Sequence, residues 1–236
     1  MKPFYEYAGI TIYHGDCSHV LPKLSAPVHA IITDPPYGSS DGRGKVVKRG
    51  SEHVGFAPGE WDTTLPLAWI PHAMRLLESG RWYAVFTDKL SVNTVWQAFE
   101  QYGGRGKQTF HWIKTNKAPT PRKNFKSCVE SAVCGTKGVV SFWNGGGNCD
   151  NYIAHPLESS GLHPTQKPVA VMAHLMRAMT KPGDVVLDPF GGSGTTAVAC
   201  QMLGRRCILI ERELEYCELA VSRLSQQALG LFEEES

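Results

Sequence analysis

The chain has 236 residues, 42% of them hydrophobic and 19% charged, enough to bury one sizeable core and too little for two full domains. Its 24 Lys and Arg against 22 Asp and Glu leave a formal charge of +2, which excludes a histone-like polyanion binder and an acidic protein alike. The average hides a polarity. Arg105 to Lys126 carries seven basic residues (Arg105, Lys107, Lys114, Lys117, Arg122, Lys123, Lys126) and no acid, whereas Glu211 to Ser236 carries seven acids and two arginines. Seven cysteines, at 17, 128, 134, 149, 200, 207 and 217, make no CxxC pair of the zinc or redox kind, so no metal is expected and the thiols read as reduced. The opening MKPFYEYAGI lacks the apolar stretch of a secretory signal. No run approaches the roughly 18 apolar residues of a spanning helix, and a soluble, cytoplasmic protein with no membrane partner is expected.

In chain order, strand-like runs at Ile10 to Tyr13, Val28 to Ile32, Tyr83 to Phe86, Val185 to Leu187 and Cys207 to Ile210 alternate with helical periods. One helical face is drawn by Val92, Val95, Trp96 and Phe99, a second by Val169, Met172, Met176 and Met179, and a third by Leu214, Cys217, Val221 and Leu224. This alternation predicts a single α/β domain over residues 1–236 with a mainly parallel sheet covered by helices. Two stretches break it. Gly38 to Gly59 has six glycines and four basic residues, and residues 38–60 are expected to form a mobile surface loop. From about Lys114 to Leu162 the chain is irregular and punctuated by Pro119, Pro121 and Gly145-Gly146-Gly147, which reads as an insertion with short strands at Val129 to Cys134 and Val139 to Phe142.

The most informative pattern is Val185-Val186-Leu187-Asp188-Pro189-Phe190-Gly191-Gly192-Ser193-Gly194-Thr195-Thr196, a strand entering a glycine turn and then a helix. Glycines let the backbone approach a ligand, and the helix start offers free N–H groups. A P-loop needs a Lys before its Ser or Thr, and Gly194-Thr195-Thr196 has none; the dinucleotide GxGxxG spacing is also absent. S-adenosylmethionine, which carries no phosphate, suits Asp188 at the strand end. The next strand ends in Glu211, 20 residues after Gly191, where an acid in this architecture meets ribose hydroxyls. A bland alternative makes Asp188 a turn cap and Glu211 a solvated charge.

Upstream, Ala30-Ile31-Ile32-Thr33 leads into Asp34-Pro35-Pro36-Tyr37. Two prolines stiffen the backbone and remove two N–H groups, leaving carbonyls and the Asp34 carboxylate as fixed acceptors. Tyr37 adds a flat ring with a polar tip. Acceptors beside an aromatic platform suit an amino group on a planar heterocycle; the alternative is a stiff turn.

Together these residues resemble the amino-group DNA methyltransferases that use S-adenosylmethionine, in the permuted group whose catalytic tetrapeptide precedes the cofactor loop. The likeness rests on Asp34 to Tyr37, on His163-Pro164-Thr165-Gln166-Lys167-Pro168, on Asp188 to Thr196, and on the segment from Glu211 through Tyr216 to Arg223. Asp16 in His14-Gly15-Asp16-Cys17 and the pair Trp61-Asp62 also fit. The resemblance implies a doubly wound, Rossmann-like methyltransferase fold with a target-recognition region inserted at 114–162.

It further implies that Asp188, Pro189, Phe190, Gly191, Gly192, Ser193, Gly194 and Thr195 line the cofactor, that Glu211 beside Arg212 holds its ribose, and that Asp16 with the Cys17 backbone meets its adenine. His163, Thr165 and Lys167 fall beside its methionine end, with a turn-fixing role the alternative for His163. Asp34, Pro35, Pro36 and Tyr37 become the catalytic set, and no cysteine nucleophile is required. The implied partner is double-stranded DNA whose target base is flipped out onto Tyr37. Adenine N6 is favoured by Asp at the first tetrapeptide position, and cytosine N4 is the alternative; a non-catalytic DNA-binding module is a third reading. Arg43, Lys45, Lys48 and Arg49 in the first loop, with Lys117, Arg122 and Lys123 in the basic run, are the expected DNA contacts, giving salt-dependent binding. A homodimer and a cognate restriction endonuclease are further partners the family implies, in a bacterial or phage-encoded setting.

Overall fold

The computed structural model describes residues 1–37, 46–49, 52–55, 65–117, 125–158 and 166–233. In chain order its elements are β1 (Tyr5–Tyr7), β2 (Ile10–His14), α1 (Cys17–Val20), β3 (Val28–Thr33), β4 (Val46–Arg49), β5 (Glu52–Gly55), α2 (Ile70–Leu76), β6 (Leu77–Thr87), α3 (Val92–Glu100), β7 (Gly104–Lys114), β8 (Val129–Lys137), β9 (Tyr152–His155), α4 (Val169–Met179), β10 (Val185–Asp188), α5 (Thr195–Met202), β11 (Arg206–Glu211) and α6 (Leu214–Glu233). Nine strands form one sheet in the order β1-β2-β11-β10-β3-β6-β8-β7-β9, while β4 and β5 pair separately. Within the large sheet only β1 and β8 run against the others.

Period-two alternation explains the two covered faces. Ala30 and Ile32 in β3, and Trp82, Ala84 and Phe86 in β6, pack with α4, α5 and α6. Ile31, Tyr83 and Val85 between them pack on the opposite side with α2 and α3. Strand β10 is buried along its whole length because both faces are covered, which is why it reads as a short apolar run.

The chain leaves β3 toward β6 on one side and leaves β10 toward β11 on the other, so the sheet reverses its winding between two adjacent parallel strands. In a doubly wound sheet the crevice outside the carboxyl ends of the strands at that reversal is the ligand position. Asp34 follows β3 and Asp188 ends β10, which puts both tetrapeptide and glycine loop at this one place.

The expected α/β architecture is present, and so is the expected strand at Val129 to Cys134, which runs longer and lies within the main sheet. Residues 129–137 form β8, which is hydrogen-bonded between β6 and β7 inside the sheet. Val139 to Phe142 is not a strand; it is tied to β6 irregularly, by Ser141 N donating to Gly80 O at 3.0 Å and Trp82 Nε1 donating to Phe142 O at 2.7 Å. The first half of the basic run is β7, recognisable by buried Phe110 and Trp112 at period two. Arg105 and Lys107 therefore lie at the amino end of β7, at the opposite sheet edge from Asp34. Within the expected loop 38–60 the described residues are the antiparallel pair β4 and β5. Helix α2 escapes a periodicity reading because it is seven residues long and carries Pro71 in its first turn, where the missing N–H costs nothing.

At the amino edge, the largely buried side chains of Arg81 and Asp184 form an ion pair. Arg81 Nε also donates to His29 O at 3.0 Å, and Asp184 Oδ2 accepts from Lys181 N at 3.0 Å, so β3, β6 and the approach to β10 are tied together. Removing one partner strands a buried charge, and Asp184→Ala should cost about 3 kcal/mol or more in urea unfolding, with Arg81→Met in the same chain restoring part of it. A loss under about 1 kcal/mol would contradict a structural role for the pair.

Candidate active site

Four carboxylates stand just past the carboxyl ends of four neighbouring strands: Asp16 after β2, Glu211 on β11, Asp188 on β10 and Asp34 after β3. With about 4.8 Å between strands, this acidic row is about 14 Å long.

Asp16 caps α1, its Oδ1 accepting from Ser18 N at 2.8 Å and Ser18 Oγ at 2.6 Å; these bonds, the hydroxyl first, hold its carboxyl below the usual range. Gly15 N donates to Glu211 O at 2.8 Å, which joins this turn to β11. Glu211 grips the glycine loop, Oε2 accepting from Gly192 N and Oε1 from Glu213 N, both at 2.7 Å. Burial pushes its carboxyl up, and those amides partly offset the rise. Asp188 is 2% exposed and accepts from Thr33 Oγ1 at 2.6 Å and Phe190 N at 3.0 Å. Burial raises its carboxyl to about 6 despite the hydrogen bonds from Thr196, Thr33 and Phe190.

The glycines of the loop are required by space and by backbone angle. A Cβ on Gly191 would lie 2.1 Å from a Leu209 methyl, and Gly194 combines φ +81° with a Cβ position 2.6 Å from Ala220 Cβ. Gly194 then starts α5. Arg223, on α6, clamps the turn from behind: Nη1 donates to Ser193 O at 2.7 Å, Ser193 Oγ at 3.0 Å and Thr195 Oγ1 at 3.1 Å. Phe190 packs edge-on to Trp69, ring centres 5.5 Å apart. A row of carboxylates and backbone donors, with no lysine in the loop, suits hydroxyls and positive charge and repels phosphate. That donor set fits S-adenosylmethionine.

At the other end Tyr37 OH donates to Asp34 Oδ1 at 2.6 Å, while the Lys167 ammonium bonds Asp34 Oδ2 and lies 3.2 Å from the Tyr37 hydroxyl. Burial, then the Asp34 carboxylate, keep the Tyr37 phenol well above its ordinary range and so a donor. Lys167 also sits 3.0 Å from Glu130 Oε2, and Lys114 bonds Glu130 Oε1. Burial disfavours the Lys167 ammonium, but Asp34 and Glu130 more than reverse this and hold it above the usual lysine range. Burial likewise opposes the Glu130 carboxylate, and Lys167 and Lys114 overcome it, leaving it below the usual range.

Asp34, buried Pro35, half-buried Pro36 and Tyr37 are thus brought beside Asp188 through Thr33, and Asp16, half-buried Cys17, Glu211 and the 188–195 loop continue the edge. Lys167, expected beside the cofactor's methionine end, has the Asp34 and Glu130 carboxylates as its partners. Arg212 is turned outward onto Glu213, its Nε 3.0 Å from Oε1. Lys117 is exposed just beyond the carboxyl end of β7, the same edge as Asp34. Arg43, Lys45, Trp61, Asp62, Arg122, Lys123, His163 and Thr165 lie outside the described residues, and Lys48 and Arg49 are on β4. Sequence reasoning missed Thr33, Lys114, Glu130 and the clamping role of Arg223. An acid inside the expected strand Val129 to Cys134 was the available signal for Glu130, since a buried carboxylate needs a partner.

A family model described as DNA methylase matches residues 141–222. The chain is 30% identical to the type II methyltransferase M2.LlaDCHI of Lactococcus lactis subsp. cremoris, covering 96% of this chain and 93% of that one. It is also 30% identical, with the same two coverages, to the type II methyltransferase M2.DpnII of Streptococcus pneumoniae. The crystal structure of an M1.HpyAVI–SAM complex superposes with a TM-score of 0.74 at 28% identity, covering 91% of this chain and 100% of that one. Full-length likeness at this level, together with the acidic edge and the Asp34 cluster, establishes that the chain belongs to the DNA methylase family and is a DNA methyltransferase that uses S-adenosylmethionine.

Proposed function

We propose that the enzyme methylates the exocyclic N6 of adenine in double-stranded DNA, on a base flipped out of the helix into the pocket of Asp34, Pro35, Pro36 and Tyr37. The observation that carries this reading is the 2.6 Å bond from Thr33 Oγ1 to Asp188 Oδ1: the residue before the Asp34 acceptor is locked to the carboxylate of the cofactor loop. An amino group held at Asp34 is thereby fixed one strand from the cofactor side. Asp at the first tetrapeptide position favours adenine over cytosine.

An exocyclic amino nitrogen is a weak nucleophile because its lone pair is conjugated with the ring. Before the base arrives, Asp34 Oδ1 takes a bond from Tyr37 and Oδ2 one from Lys167, which fix the carboxylate in place. Asp34 and the Pro35 carbonyl would accept the two amino hydrogens and favour a tetrahedral nitrogen whose lone pair points away from the ring. When bound, the cofactor supplies a methyl group on a positively charged sulfur. Asp188, Glu211 and Asp16 would hold that ligand. Asp34 is also placed to take the proton the methylated nitrogen sheds. Positioning and preorganised charge account for the rate, with no covalent enzyme intermediate.

A base within a duplex cannot reach this pocket, so flipping is required, with the Tyr37 ring as its platform. Lys117 at the same edge supports a phosphate-binding role, and we extend it to Arg43, Lys45, Lys48, Arg49, Arg122 and Lys123. The type II relatives support a restriction-modification setting with a cognate endonuclease.

Asp34→Ala should lower turnover by about 10³-fold while leaving cofactor affinity within about threefold, measured by single-turnover methylation and calorimetry. Near-normal turnover would overturn the assignment. Nucleoside analysis of DNA methylated by the wild type should yield N6-methyladenine; N4-methylcytosine would transfer the same mechanism to cytosine.

Asp188 gives a prediction of opposite sense for stability and function. Its carboxyl titrates at about 6 when folded against about 3.9 unfolded, so the native state binds the extra proton between those values. Its contribution is fully present below about pH 4 and is lost as pH rises through the folded value, a cost of about 3 kcal/mol at neutral pH. Cofactor-free Asp188→Asn should therefore be more stable than wild type in urea at pH 8 and indistinguishable below about pH 4, yet bind S-adenosylmethionine more weakly. Equal stability at pH 8, or unchanged cofactor affinity, would contradict a functional buried charge.

A further inference from the structure

The Asp34 acceptor is already engaged. Lys167, its side chain 6% exposed, bonds Oδ2 and would compete with an incoming amino group for the same carboxylate. A buried ammonium cannot simply let go, because an unpaired charge in a dry pocket costs several kcal/mol. The pocket contains an alternative partner. Glu130 Oε2 lies 3.0 Å from the Lys167 nitrogen, yet it is buried and makes no well-aligned hydrogen bond among the described residues. Lys114 on β7 anchors the other oxygen, Oε1, and lies 4.9 Å from the Trp112 ring centre. The Phe86 ring, 4.9 Å from the same Lys167 nitrogen, keeps the ammonium between the two carboxylates.

We propose that Lys167 is a movable counter-ion with two seats: it bridges Asp34 and Glu130 in the free enzyme and moves wholly onto Glu130 when the amino group of the target base takes Asp34. Glu130 is thus a positioning residue, acting on the reaction through Lys167. Two carboxylates and two ammoniums stay balanced in either arrangement, so the shift moves no net charge into or out of the pocket. It also withdraws a cation from the nitrogen that becomes positive as the methyl arrives. This inference rests on the reading that Asp34 accepts the base's amino group.

Among the described residues, the charged and titratable groups around Asp34 are Tyr37 on its own loop, Lys167 before α4, Glu130 on β8 with Lys114 behind it, Asp188 on β10, and Asp88 after β6, which acts on Tyr37. Among these, Glu130 reaches Asp34 only through Lys167. Single-turnover kcat in a double-mutant cycle, with cofactor affinity measured in parallel, tests that dependence. In the wild-type background Glu130→Gln should lower kcat by about tenfold, because the ammonium no longer has a second charged seat. In the Lys167→Met background the same change should alter kcat by less than about twofold, since no ammonium is left to move. Both variants should bind S-adenosylmethionine as the wild type does. An unchanged kcat in Glu130→Gln, or a loss as large in the Lys167→Met background as in the wild type, would overturn the two-seat arrangement. Loss of cofactor binding in a folded Lys167→Met would overturn it too, by assigning Lys167 to the cofactor. An active Asp34→Ala enzyme would instead sink the underlying reading of Asp34, so the two failures are distinguishable.

Discussion

The hydroxyl of Thr33 donates to the buried Asp188 carboxylate across the seam between β3 and β10, at 2.6 Å. Those strands are far apart in the chain and adjacent in the sheet because the winding reverses between them. In the proposed reading, the two loops that a methyl transfer must bring into register meet at this seam. Asp34 follows Thr33 directly, and the glycine loop follows Asp188. Neither loop needs to find the other, since parallel pairing of Val186 with Ala30 and Leu187 with Ile31 sets their separation before any ligand arrives. A site built this way owes its precision to the sheet's main-chain bonds.

Charge along the same edge is distributed by task. Toward β2 and β11, carboxylates are satisfied by backbone amides and a serine, and the edge remains negative for a cationic ligand. Toward β6 and β8, lysines are brought in and the pocket approaches neutrality. Asp188 lies between these regimes, buried enough that its own ionisation opposes folding. Tolerating such a charge is expected of a binding group and would be wasteful in a spacer.

Much of this was legible in the residues. Asp-Pro-Pro-Tyr and the run from Asp188 to Thr196 are local signals, because each motif's chemistry resides in consecutive positions at a strand end. The strands that bury both faces, such as β10, were legible as apolar runs for the same local reason. Lys167 was visible as part of a motif, but its partner was not: the contacts to Asp34 and Glu130 depend on which strands become neighbours. Glu130 and Lys114 were hidden for a related reason. They sit in β8 and β7, where glycines and polar residues dilute the apolar alternation and an insertion was expected, yet β8 is central to the sheet. Arg223 was visible as the end of the segment from Glu211, but its clamping role was not, because it depends on how α6 packs against the glycine turn.

The central claim is that transfer occurs at the seam, with the target amino group on Asp34. The most direct measurement is a crystal structure of the enzyme with a non-transferable cofactor analogue and a short duplex carrying the methylated sequence. The account predicts the target base outside the helix, its amino nitrogen about 3 Å from an Asp34 carboxylate oxygen and its ring against Tyr37. A base still stacked in the duplex, or an amino group held by other residues away from Asp34, would contradict it.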